Sequence, residues 1–240
     1  MKRQTIQALL FVCASSLQAS SVLLTDNFNT GSYGASTFND SLATDQGGSL
    51  ATISYTTSAP GGDWTTQHSN GGAMLIVNQG NNWASLNHDF STDPTGSNPT
   101  LVIQFDAWVD GGVSYSWLGF GIGSAQGTDF YSQPYGTNFT QLVGAHNYKF
   151  VISDTVGTGT AFNGITNGAK VDLYVDSTYS STAAVTLNPG GGYITFKQDQ
   201  WDGWSIGHVD NLSVSIVPEP GAALLGGLGM LCFLRRRRSR

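Results

Sequence analysis

Between Val22 and Val217 the chain contains no glutamate and no arginine, and its only basic residues are Lys149, Lys170 and Lys197. Solvent-facing helices lean on such long charged side chains, which favour the helical backbone and pair at three or four residue spacings. Without them this body has little from which to build one. What it has instead is alternation. Residues 101–109 (LVIQFDAWV) place Leu101, Ile103, Phe105, Ala107 and Val109 on one face and Gln104, Asp106 and Trp108 on the other. That period of two is what a half-buried strand requires. It recurs in Ala51, Ile53 and Tyr55; in Leu118, Phe120 and Ile122; in Tyr148, Phe150 and Ile152; in Val171, Leu173 and Val175; and in Leu212, Val214 and Ile216. Met74–Val77 is a continuous apolar run suited to a strand covered on both faces.

Turn clusters separate these runs, among them Ala59-Pro60-Gly61-Gly62-Asp63, Asp110-Gly111-Gly112 and Asn188-Pro189-Gly190-Gly191-Gly192. The expectation is an all-β domain of about a dozen strands, folded as a two-sheet antiparallel β-sandwich of jelly-roll type. No fixed repeat period appears, which argues against a propeller or solenoid. The glycines of Gly119-Phe120-Gly121-Ile122-Gly123 lie inside a strand pattern with no helix after it, so they read as packing or bulge positions and not as a phosphate cradle.

Three lysines against fifteen aspartates give residues 22–217 a formal charge of −12. Such a body repels nucleic acid and anionic membrane, which need clustered Lys or Arg. Both cysteines, Cys13 and Cys232, lie in the end segments, so neither a disulfide scaffold nor a cysteine zinc site is expected in the body.

The ends are unlike the body. Residues 1–21 combine Lys2 and Arg3, an apolar stretch from Ile6 to Ala14, and small residues around Ala19, Ser20 and Ser21. That is the pattern of a secretory signal peptide cleaved after Ala19 or Ser21; an uncleaved N-terminal anchor is the alternative. After the body (22–217), residues 218–240 run Pro218-Glu219-Pro220, an apolar segment from Gly221 to Leu234, then Arg235, Arg236, Arg237 and Arg238 and the terminal Ser-Arg. The prolines stop the last strand. The apolar segment, as a helix of about 21 Å at ~1.5 Å per residue, falls short of a ~30 Å hydrocarbon core.

This tripartite end resembles the PEP-CTERM sorting signal of Gram-negative bacteria. The resemblance implies export by the general secretory route, transient tethering in the inner membrane with the arginines on the cytoplasmic side, and processing by an exosortase near Pro218–Pro220. Delivery to the cell surface or an exopolysaccharide matrix would follow. An ordinary C-terminal anchor with a stop-transfer cluster is the alternative reading of the same residues.

A second resemblance concerns the body. Its opening Asp26-Asn27-Phe28-Asn29-Thr30-Gly31 and its closing Val209-Asp210-Asn211-Leu212-Ser213-Val214 look like the first and last strands of laminin-G-like and concanavalin-like sandwiches and of carbohydrate-binding jelly-roll modules. The implied use is binding of glycans or proteins.

Catalytic signals are few. The Glu-x-Asp-x-x-Glu strand of retaining β-glucanases is impossible in a body without glutamate. No two aspartates occupy neighbouring apolar-flanked positions that would suggest one raised pKa. His68, His88, His146 and His208 are isolated and read as polar loop or strand-edge residues. No Gly-x-Ser-x-Gly elbow occurs. Two candidate sites remain. Asp26, Asn27, Asp210 and Asn211 would come together if the first and last strands pair, an oxygen-rich set suited to calcium; capping of turns is the competing role. The aromatic cluster Tyr193, Phe196, Trp201 and Trp204, with Asp202 in its loop, would contact glycan by ring stacking plus a hydrogen-bond acceptor. Trp64, Trp83 and Trp117 are weaker candidates. The sequence thus points to an exported, non-catalytic surface or matrix protein, with exosortase, the secretion machinery and exopolysaccharide as partners. An exported hydrolase or lyase with an aspartate-based site, and a purely structural or adhesive protein, are the alternatives.

Overall fold

The computed structural model describes residues 20–28, 37–39, 46–50, 53–57, 66–67, 74–78, 81–94, 99–110, 116–124, 137–138, 144–200 and 205–218. In chain order the strands are β1 (Ser21–Asp26), β2 (Thr37–Asn39), β3 (Ser54–Thr57), β4 (Thr66–Gln67), β5 (Met74–Asn78), β6 (Asn81–Leu86), β7 (Thr100–Asp110), β8 (Ser116–Gly123), β9 (Thr137–Asn138), β10 (His146–Asp154), β11 (Ala169–Val175), β12 (Thr178–Val185), β13 (Tyr193–Gln200) and β14 (Ser205–Val217). The helical element among the described residues is a single 3-10 turn at Phe90–Thr92, and no helix among them is long and apolar enough to cross a membrane.

The strands form two antiparallel sheets. The eight-stranded sheet runs β12-β11-β10-β7-β14-β5-β4, with β1 also on β14; the six-stranded sheet runs β2-β3-β6-β13-β8-β9. Consecutive strands cross between the sheets, β7 to β8 and β13 to β14, as the jelly-roll sandwich expected from the sequence requires. First and last strands lie side by side, with Ser21 opposite Ile216 and Asp26 opposite Leu212. β14 ends at Val217, directly before Pro218, which has no N–H to continue the ladder.

The alternation decides what is inside. Along β7, Leu101, Ile103, Phe105 and Ala107 are buried between the sheets, whereas Val102, Gln104, Asp106 and Trp108 are only half-buried on the outer face. Phe105 and Phe150 from the larger sheet meet Phe120 and Phe196 from the smaller one. The Phe105 and Phe196 rings stand edge to face at 4.9 Å and 88°, and Phe120 lies 4.3 Å from Phe150. Leu173 and Val175, expected in the core, are only partly covered, because β11 is next to the sheet edge formed by β12.

Phe196 therefore does not belong to a glycan-contacting cluster. It is fully buried in the middle of β13, while Tyr193 at the start of that strand is half-buried. Gly119 and Gly121 sit buried in β8, in unbroken register with Lys197 and Thr195, so they pack and do not bulge.

Candidate functional site

A connected set of polar and aromatic side chains lies on the outer face of the eight-stranded sheet. Antiparallel register sets which of them are neighbours. Asp106 on β7 faces Asn147 on β10 and Asp210 on β14; Trp108 faces His208; Gln104 faces Lys149 and Ser213. Trp108 and His208 stack almost in parallel, with centroids 4.5 Å apart and planes inclined by 6°.

Beside this stack runs a continuous chain of amides and carboxylates. Gln104 Nε2 donates to Asn147 Oδ1 at 2.9 Å, and Asn147 Nδ2 donates to Asp106 Oδ1 at 2.7 Å. Asn211 Nδ2 donates to Asp106 Oδ2 at 2.8 Å and to Asp210 Oδ2 at 3.3 Å. The backbone N–H of Asn211 also reaches Asp210 Oδ1, at 2.6 Å.

Asn211 can do this because the β7–β14 register breaks between Asp210 and Ser213, and Asn211 itself takes a positive φ of 50°. Asparagine tolerates that left-handed backbone better than most residues. The bulge keeps Asp210 on the outer face, returns Leu212 to the core, and holds an amide between two carboxylates that would otherwise repel. Burial pushes the Asp210 carboxyl above its ordinary value; the Asn211 N–H opposes this, and the charges of Asp106 and Asp26 add to it. Two aspartates thus do form a facing pair with one raised carboxyl, against the expectation from sequence. They are 104 positions apart, and only strand register makes them neighbours.

Of the four residues expected to gather at the chain ends, Asp26, Asp210 and Asn211 serve two different places, and Asn27 is exposed. Asp26 is 1% exposed and points between the sheets. Its Oδ1 accepts from the Phe28 N–H at 2.9 Å, and its Oδ2 accepts from the Tyr55 hydroxyl at 2.8 Å and Gln46 Nε2 at 3.1 Å. A calcium ion shared with Asp210 would have to displace these donors. Among the described residues no group of three or more His, Cys, Asp or Glu is placed to hold a metal.

His88 and His146 behave as the polar residues expected, each 2.7 Å from a carboxylate, Asp93 and Asp176 respectively. His208 does not: it occupies the central strand β14 and forms half of the aromatic stack. The loop residues Trp201, Asp202 and Trp204, the tail residues Glu219, Pro220, Arg235, Arg236, Arg237 and Arg238, and Trp64 lie outside the described residues. Trp83 is half-buried on β6. The residues that sequence reasoning passed over are Trp108 and Asn147. The available signal was a tryptophan on the polar face of an otherwise clean strand alternation, where a small polar residue would cost less exposed apolar area.

No protein-family model matches the sequence, and no curated protein matches it. Solved structures superpose on the chain at low scores. The binding domain of botulinum neurotoxin DC, solved in complex with SialylT, superposes with a TM-score of 0.42 at 9% identity over 81% of this chain and 47% of that one. A Bacillus licheniformis beta-glucanase gives 0.41 at 11% identity, covering 84% of this chain and all of its own. An alginate lyase from Corynebacterium sp. gives 0.40 at 14%, covering 82% and 94%. The chain spans less than half of the neurotoxin domain. At these identities and scores the likeness says nothing of what this chain binds.

Proposed function

We propose that this chain is an exported surface or matrix protein whose sandwich holds glycan on the outer face of the eight-stranded sheet without chemically altering it. One observation carries the binding half of this reading: the stacked Trp108–His208 pair borders the chain Gln104–Asn147–Asp106–Asn211–Asp210. A sugar ring offers an apolar face and a rim of hydroxyls, so it asks for an aromatic surface beside groups that both donate and accept. The export half rests on the sequence of the two ends, with a signal peptide at 1–21 and an exosortase-type sorting signal at 218–240.

Affinity electrophoresis of the full chain through polysaccharide-containing gels tests binding; mobility unaffected by every polysaccharide would end that half. Cell fractionation after deletion of Gly221–Arg240 tests sorting: the truncated protein should fold yet lose surface delivery, and normal surface retention would defeat it.

A second reading is favoured by the Asp106–Asp210 pair. Two facing carboxyls, one of them raised, are the arrangement of a glycosidase acid and its partner. Against it, the Asn211 amide lies between the two and binds both. Release of reducing ends or unsaturated products from a bound polysaccharide, abolished by Asp210→Asn, would establish the enzyme in place of the binder.

A further inference from the structure

We infer that the ligand is an extended, uncharged polysaccharide chain lying obliquely across the outer face, from the Trp108–His208 stack to a second aromatic station at Tyr174 and Tyr179. The inference rests on the glycan-binding reading and adds to it the length and charge class of the ligand.

The second station is built at the far edge of the same face. Tyr174 on β11 faces Tyr179 on β12, and their rings meet edge to face at 5.7 Å and 76°. Tyr179 is 54% exposed. Lys149 on β10 places its Nζ 5.6 Å from the centre of the Tyr174 ring.

Register ties the stations together. Tyr174 faces Lys149 on β10, and Lys149 faces Gln104 on β7. From Gln104 to Tyr174 is two strand spacings, about 10 Å, and from Gln104 to Trp108 is four residues of strand, about 13 Å. The diagonal is therefore roughly 16 Å. A tetrasaccharide spans that distance and a disaccharide does not. Asn147 lies near the midpoint of that diagonal and Asp106 beside it, with Gln104 at the corner. Each described outward side chain of β7, β10 and β11 with a burial class keeps part of its surface exposed.

Charge selects the class of chain. Asp106 borders the middle of the path, Asp210 flanks it from β14, and Asp172 is matched by Lys170 at 2.8 Å. Lys149 sits against the Tyr174 ring. A uronate or sulfated chain would bring its anions against Asp106, with Asp210 beside it, in a body already at −12. Hydroxyls donate to the carboxylates and accept from the amides, which an uncharged glycan supplies at every ring.

The test uses the full chain and gels containing a neutral glucan, galactan or mannan, or alginate as the anionic probe. At least one neutral polymer should retard the protein and alginate should not. Oligosaccharides of the retarding polymer should compete, with a steep gain between disaccharide and tetrasaccharide. Tyr174→Ala and Tyr179→Ala should each weaken retardation about tenfold, the loss of one stacked ring, with Tyr174→Phe near wild type. Three results would each overturn the inference while leaving glycan binding intact: retardation that survives both alanine replacements, a disaccharide that competes as well as longer chains, or a preference for alginate. Should no polymer retard the wild-type chain, the inference and the glycan-binding reading fall together. The length series needs no variant, so it decides the matter even where a replacement unfolds the protein.

Discussion

Strand β7 turns Phe105 into the sandwich and Asp106 out of it, and the two neighbours answer to different physics. Phe105 is held by rings from three other strands, β8, β10 and β13. Asp106 is held laterally, by amides of β10 and β14 in its own sheet. The contrast extends to the chain ends: Asp26 faces inward and joins β1 to Tyr55 of the opposite sheet, while Asp210 faces outward. Inner polar groups are therefore part of what closes the sandwich, and outer ones can change their partners without opening it.

The largest effect should come from Phe105→Ala, which empties a site lined by aromatic rings from both sheets and should cost about 3–5 kcal/mol in denaturant unfolding. A loss under ~1 kcal/mol would mean the interior is far looser than these ring contacts imply. Next comes Asp26→Ala. It leaves the Tyr55 hydroxyl, Gln46 and the Phe28 N–H short of an acceptor and should cost about 3 kcal/mol. If the variant instead melts with the wild type, water reaches that carboxylate and the inside–outside contrast fails there. Trp108→Ala should reverse the ranking, lowering stability by only about 1 kcal/mol through the lost stack with His208, while weakening polysaccharide retardation about tenfold. Unfolding of this variant would move Trp108 to the structural side of the comparison.

The smallest effect is the most specific. Because the folded protein holds the Asp210 carboxyl above its ordinary value, the ionised group costs stability at neutral pH, and that cost disappears as pH falls through the folded value toward 3.8 and below. Asp210→Asn should thus melt above wild type at pH 7, with the difference shrinking to nothing in acid. A difference that stays constant with pH would show that charge is not its source.

The interior was readable because burial writes itself into alternation: Leu101 to Ala107, Tyr148 to Ile152 and Leu212 to Ile216 were placed on the correct face by period alone. β12 escaped because most of this edge strand, Thr178–Val185, is exposed, and only Ala183 and Val185 at its end turn toward the core, too few to impose a period. Phe196 was misassigned because in β13 only Tyr193 and Ile194 accompany it as apolar residues and a polar run follows, so the strand looked like part of a loop cluster. The outer site was harder still. Its parts come from residues 104–108, 147 and 208–211, and nothing local in any of them says that the others are near. The sequence left open whether the first and last strands pair, and gave no sign that a bulge at Asn211 sends Asp26 and Asp210 to different environments.

β14 has a further consequence, one of timing. It is the longest strand, it pairs with β7 along both halves, and it serves β5 with its first half and β1 with its second. Among the described strands, three parts of the chain made much earlier are thus joined through the last thirteen residues before Pro218. Synthesis proceeds from the N-terminus, so β1, β5 and β7 must wait, with sheet edges open, until the final strand emerges. A premature stop anywhere before Ser205 therefore leaves β1, the β4–β5 pair and the group β7-β10-β11-β12 without the strand that joins them.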